Sequence, residues 1–322
     1  MRYVTADGLP PVSKVGLGTM RFGERAFPPD LVRALVKRAL ELGITHFDTA
    51  EGYGFGRSER LLGEALAGEG ATDVVITSKY GPLLPLASVM ERHARASRDR
   101  LGVASIPLYL LHMPNPLVPS RVTMSGFRRS QDGGVIGAAG VSNHSLRQWR
   151  AAEAALGQPI AANEVLFNVL HRKALRGLVP WATANRRLVI AASPLGQGVL
   201  AGRYGPDNPP RGLATHRRFA MRFAALPPTQ ANFRRLEPLM ARLRSLAARH
   251  DVAPATIALA WAISHAPVAV IPGASSVSQL EANAAAADLA LSADEVRALE
   301  DAAIAVARAR PRSGTGQVSP GR

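Results

Sequence analysis

Four side chains in this 322-residue sequence stand where apolar runs give way to turns, and their types suit proton transfer. Asp48 closes the run 44–50 and Tyr53 follows in the next turn. Lys79 closes the run 73–80 and His112 closes the run 106–113. A free phenol titrates at about 10 and is a poor acid at neutral pH. An ammonium held beside it by a carboxylate lowers that value by stabilising the phenolate. An imidazole alongside can orient a carbonyl oxygen and share the proton donation. Such a set can protonate an oxygen while a hydride arrives at carbon, but it cannot supply the hydride, so this reading calls for a redox coenzyme. Each residue also has a plainer reading: Asp48 and Lys79 as a structural ion pair, His112 as a hydrogen-bonded core histidine.

The elements that must position these groups repeat as short apolar run, turn, helical period. Strands are expected over 14–20, 44–50, 73–80, 106–113, 136–143, 161–167, 188–195 and 268–275. Helical segments are expected at 28–42, 58–66, 87–101, 146–156 and 254–264, among others. Eight strands alternating with helices predict an α/β fold, a (β/α)8 TIM barrel, in which the strand ends carry the active site. The competing open, doubly wound sheet would want a third glycine in Gly16-Leu17-Gly18-Thr19-Met20-Arg21, which the sequence lacks. The stretch 1–12, with Asp7-Gly8 at its centre, predicts an N-terminal hairpin plugging the barrel floor. One barrel domain over residues 1–307 is expected, with a basic disordered tail over 308–322. The Pro-, Gly- and Arg-rich excursion 201–228 follows the seventh strand.

Composition narrows the function classes. No cysteine is present, which excludes disulfides, thiolate nucleophiles and Cys-based metal sites and suits a cytoplasmic protein. The other histidines lack metal-ligand spacing, so no metal site is expected. Apolar runs are too short to span a membrane. Thirty-nine basic against 24 acidic residues give a net charge of +15, yet aromatic residues make up only 5%. Solvated arginines on helix faces explain the charge better than a nucleic-acid surface does.

The ordered set Phe47-Asp48-Thr49-Ala50, Tyr53-Gly54, Ser58-Glu59, Leu62-Gly63, Thr77-Ser78-Lys79, Leu111-His112, Gly140-Val141-Ser142-Asn143, Ser193-Pro194-Leu195-Gly196 and Ile271-Pro272-Gly273-Ala274 resembles the aldo-keto reductases. The resemblance runs from about residue 14 to about residue 299. It implies a barrel that binds extended NADP(H) without a Rossmann fold and reduces a small-molecule aldehyde or ketone to an alcohol. It implies Asp48, Tyr53, Lys79 and His112 as the catalytic tetrad, Tyr53 being the general acid. Around the coenzyme it implies Asp48, Ser142, Asn143 and Glu164 at the nicotinamide and its ribose. Ser193, Leu195 and Gly198 would line the pyrophosphate, and Ser275, Ser276, Gln279 and Asn283 the adenosine phosphate end, with Gly18, Thr19 and Gly273 as further coenzyme contacts. Phe22, Phe55, Tyr80 and Pro114 are the expected substrate-pocket walls.

Three departures from the family pattern bear on this. Glu164 stands where the family usually has Gln; a carboxylate accepts from a carboxamide NH₂ but cannot donate to its oxygen. Ala192 stands where an aromatic ring usually stacks on the nicotinamide. Ser275, Ser276 and Gln279 stand where Arg or Lys usually grips a 2′-phosphate, which keeps NAD(H) in play as coenzyme. The alternatives are therefore an NAD-linked sugar or alcohol dehydrogenase on the same fold and a low-turnover, coenzyme-binding regulatory subunit.

Overall fold

The computed structural model describes residues 1–81, 86–115, 117–208 and 230–308. Strands β1 (Tyr3–Val4) and β2 (Val12–Ser13) form an antiparallel hairpin. Then come β3 (Leu17–Gly18), β4 (His46–Asp48), β5 (Val75–Tyr80), β6 (Ile106–Leu111), β7 (Ile136–Ser142), β8 (Ala162–Leu166), β9 (Leu188–Ala192) and β10 (Val268–Val270). These eight run parallel in sequence order. The sheet closes on itself: Val15 bridges Val270 in parallel, and the Gly16 N–H donates to the Val270 carbonyl at 2.8 Å. That closure decides for the barrel over the open sheet.

Helices α1 (Pro29–Glu41), α2 (Arg57–Gly68), α3 (Ala87–Leu101), α4 (Ser120–Asp132), α5 (Leu146–Leu156), α6 (Leu178–Ala184), α7 (Gln230–Arg249), α8 (Pro254–Ser264), α9 (Val277–Ala284) and α10 (Ala293–Arg308) surround it. Their signals are local. In α1, Pro occupies the first turn and Val32, Leu35, Val36 and Ala39 form one buried stripe. Ser145 caps α5 in a capping box with Gln148. Helix α8 is buried from Thr256 through Ile263, so periodicity marks its inner face poorly. No helix among the described residues is long and apolar enough to cross a membrane. Within the expected tail only Arg308, the last residue of α10, is described; 309–322 and, in the arginine-bearing excursion, 209–229 lie outside the described residues.

Strand alternation divides the core. Val75, Leu108, Leu110, Ala138, Leu188 and Ala269 fill the barrel together with Val4, Ala6 and Val12 of the hairpin, which is the expected floor plug. The intervening residues pack outward on the helices, as Tyr109 does against Phe127. Seven of the eight expected spans run past the strand's C-terminal end, by one to five residues, while 73–80 ends with its strand. Those extra residues leave the ladder to build the rim.

Candidate active site

The rim begins with a buried charge cluster. Asp48 ends β4 and pairs in register with Thr77 of β5, so Lys79, two residues on along β5, points inward beside it. Lys79 Nζ donates to Asp48 Oδ1 at 2.6 Å, to Oδ2 at 2.7 Å and to the Thr49 carbonyl at 2.9 Å. Its third neighbour is Glu164 of β8, whose Oε2 lies 3.2 Å from Nζ as an ion pair without hydrogen-bond geometry. All three side chains are buried. Burial alone would drive the ammonium to its neutral form, but Asp48 and Glu164 outweigh it and hold the Lys79 pKa above its ordinary value. Asp48 is pushed well above the usual carboxylate range by burial and then by Glu164, against the pull of Lys79.

Tyr53 reaches this cluster from the loop after β4. The Lys79 ammonium lies 5.3 Å from the centre of its ring. The loop is seated by backbone contact: Gly54 adopts φ +64, and a Cβ there would lie 2.2 Å from the Gly23 carbonyl oxygen. Beneath it, Glu59 of α2 accepts from Ser78 Oγ at 2.6 Å and from Arg100 Nε at 2.6 Å while wholly buried. These contacts tie α2 to α3 and to β5 beneath the rim. Glu59→Ala leaves Arg100 and Ser78 without their acceptor, and a loss of about 3 kcal/mol is expected from urea-unfolding midpoints.

His112 continues the inward alternation of β6 one residue past the strand. Its ring stands edge-on to that of Tyr53, centroids 6.3 Å apart. Tyr53 and His112 are half-buried, so the two possible hydrogen-bonding groups open to the cleft while the charges stay behind them. Burial and then Lys79 push the His112 pKa down to about 4, leaving a neutral ring at physiological pH. For Tyr53 the expected lowering by Lys79 is present, but burial, Asp48 and Glu164 outweigh it and the phenol is pushed up instead. Tyr53 therefore keeps its proton at neutral pH.

Ser142, Asn143 and Glu164 complete the same rim through the β7–β8 register Ser142↔Glu164. Asn143 sits at φ +60, and its Nδ2 donates to the His112 carbonyl at 3.1 Å and to Ser142 Oγ at 3.0 Å. Ser193, at φ +48, begins the turn after β9, with Leu195 and Gly198 following. Ser276 caps α9, and the Ser275 N–H and hydroxyl both donate to Gln279 Oε1, at 3.0 and 2.8 Å. Asn283 Nδ2 donates to the Gly273 carbonyl at 3.4 Å.

Several expected site residues do other work. Thr19 is wholly buried: its hydroxyl contacts the Asp48 carbonyl and Ser58 Oγ, both at 2.8 Å, so it holds the rim loops together. Tyr80 is not a pocket wall: it follows inward-facing Lys79, so alternation turns it outward against His93, ring centroids 5.3 Å apart. Phe22 is likewise core, 1% exposed, with its ring 5.4 Å from that of Phe27. Phe55 and Pro114 do lie on rim loops, Phe55 fully in the open at 97% exposure. Sequence reasoning missed the Glu164–Lys79 ion pair and the part of His46, which lies one inward layer below Lys79 with Nε2 3.0 Å from Thr77 Oγ1. The inward period of β4, His46 then Asp48, was the available signal.

The family model for the aldo/keto reductase family matches residues 14–304. The chain belongs to that family. It is 50% identical over 311 residues to an oxidoreductase of Mycobacterium tuberculosis, covering 94% of this chain and 93% of that protein. The methylglyoxal reductase of Escherichia coli is 30% identical over 289 residues, covering 89% and 90% of the two chains. Among solved structures, an aldo/keto reductase of Klebsiella pneumoniae in complex with NADP and acetate superposes with a TM-score of 0.74 at 27% identity, covering 93% of this chain and 94% of that one. The glycerol dehydrogenase of Gluconobacter oxydans gives 0.84 at 25% identity, over 97% and 98%. Oxidoreductase activity on small carbonyl compounds follows from this membership, and the conserved architecture is the barrel described above.

Proposed function

We propose that this aldo-keto reductase is a cytoplasmic enzyme that reduces an aldehyde or ketone to an alcohol with NADP(H), Tyr53 being the proton donor. The observation that carries this reading is the half-open Tyr53 beside a buried Lys79–Asp48 pair and a neutral His112, all on one barrel rim. Features of the rim fit such a coenzyme. Glu164 Oε2 is buried without a hydrogen-bond donor, and a carboxamide NH₂ would supply one. The N-terminus of α9, opened by Ser275 and Ser276, suits a phosphate. Ser142, Asn143 and Glu164 would hold the nicotinamide end, Ser193, Leu195 and Gly198 the pyrophosphate, and Gly273, Ser275, Gln279 and Asn283 the adenosine phosphate end. When bound, the dihydronicotinamide supplies the hydride.

Tyr53 gives its proton to the carbonyl oxygen as that oxygen gains charge. Lys79, kept charged by Asp48 and Glu164, stabilises the phenolate left behind. His112 donates a hydrogen bond that fixes the same oxygen. The test is a screen of NADPH and NADH oxidation against keto sugars, aromatic aldehydes and diketones; no turnover of any carbonyl with either coenzyme sinks the reading.

A second reading, an NAD-linked dehydrogenase, draws on the neutral phosphate end. The first turn of α9 has no acidic side chain, and Ser275 and Ser276 stand where a cation would grip a 2′-phosphate. A modest preference for NADPH is therefore expected, and Ser275→Arg should lower the NADPH KM by about tenfold while leaving the NADH KM within about twofold. Equal effects on both coenzymes would show that position 275 does not face the 2′-phosphate.

A further inference from the structure

Two carboxylates share one ammonium in this site. Asp48 (2% exposed) and Glu164 (5%) both approach Lys79 Nζ, at 2.6 and 3.2 Å, and Lys79 itself is wholly buried. Among the described residues no other cation compensates from the surrounding elements. From β4 the cluster is faced by His46, which burial and Lys79 push down to about 3, and from β6 by His112, likewise neutral. The loop after β4 contributes the neutral phenol of Tyr53. Strand β7 contributes Ser142, the turn after it the exposed Asn143, and β9 ends at Ala192. Glu164 Oε2 has no hydrogen-bond donor among the described residues. The surroundings thus leave one negative charge unbalanced, or else a proton held on Asp48, at the part of the rim assigned to the nicotinamide.

We propose that Glu164 is a charge-sensing contact: together with Asp48 it makes the site favour the oxidised coenzyme, whose nicotinamide ring is cationic, over the reduced coenzyme, whose ring is neutral, and Asp48 releases a proton when the oxidised form binds. The inference rests on the coenzyme reading above. Its physical basis is that a buried carboxylate is expensive unless a positive charge or a proton accompanies it. A glutamine, the usual residue at this position, leaves Asp48 and Lys79 as a balanced pair and has no such preference. Glu164 therefore sets how tightly each redox form is held, and so how the enzyme divides its time between reduction and oxidation.

The experiment measures equilibrium binding of NADP⁺ and NADPH to the full chain without carbonyl or alcohol, by quenching of tryptophan fluorescence, together with calorimetry in buffers of different ionisation enthalpy. In wild type, NADP⁺ should release at least about half a proton more than NADPH at pH 7; the 2′-phosphate contributes to both and cancels in the difference. Glu164→Gln should weaken NADP⁺ relative to NADPH by about tenfold or more and abolish the difference in proton release. Glu164→Asp, which keeps the charge, should hold the affinity ratio within about threefold of wild type, and Asp48→Asn should shift it in the same direction as Glu164→Gln. An unchanged ratio in Glu164→Gln, or equal proton release for the two forms in wild type, overturns the inference while leaving the coenzyme reading intact. Binding of neither form to wild type overturns the coenzyme reading and this inference with it.

Discussion

Replacing Tyr53 by phenylalanine is expected to lower kcat for carbonyl reduction by about 10²- to 10⁴-fold, the range that a positioned proton donor contributes. Affinity for NADPH should stay within about twofold, because in the proposed reading the phenol faces the reacting oxygen and residues of other strands hold the coenzyme. The effect follows from the layout. Tyr53 is half-buried, keeps its proton at neutral pH, and has the Lys79 ammonium 5.3 Å from its ring to receive the charge that proton loss creates. Phenylalanine keeps the ring and its edge-on contact with His112, so the variant should fold and melt like wild type. Steady-state turnover beside a coenzyme titration checks both halves. Turnover near the wild-type rate would remove Tyr53 from its role.

Lys79→Met should have the second large effect, on stability and turnover together. It removes the cation that both buried carboxylates share, and breaking such a pair costs about 3–5 kcal/mol. The sign of the pH dependence follows from Asp48. Burial and Glu164 already raise its pKa well above the ordinary carboxylate value, and without Lys79 nothing opposes them. The folded variant then holds protons that the unfolded chain has shed, so its deficit against wild type should shrink as pH falls from about 8 to about 5. In wild type the raised Lys79 pKa contributes stability that is fully present below the ordinary lysine value of 10.5 and is lost only above it. Urea midpoints of both proteins at the two pH values decide. A deficit that grows on acidification would contradict the charge balance described here.

The same cluster marks how far reading residues in order can go. Asp48, Lys79 and His112 were visible because each ends an apolar run, and a barrel brings strand ends to one rim. Tyr53 was visible only as a phenol one turn past Asp48. The direction of its pKa was not, because Lys79 pulls down while burial pushes up, and only coordinates say how much water reaches the ring. Tyr80 and Phe22 were misplaced for a related reason. An aromatic residue beside a rim residue suits a pocket wall in one dimension, but strand alternation turns Tyr80 to the helices, and the loop after β3 folds Phe22 onto Phe27.

Sequence by itself determined the order of strands and helices, the floor hairpin, and the residue types that reach the rim. These depend on local period, turn chemistry and alternation, which are written within a few residues of each site. Tertiary structure alone decided the closure of Val15 on Val270 and the meeting of Glu164 with Lys79 across two intervening strands. Both are contacts between distant segments, and their energy depends on burial and on which charges end up unpaired, quantities that exist only once the barrel is closed.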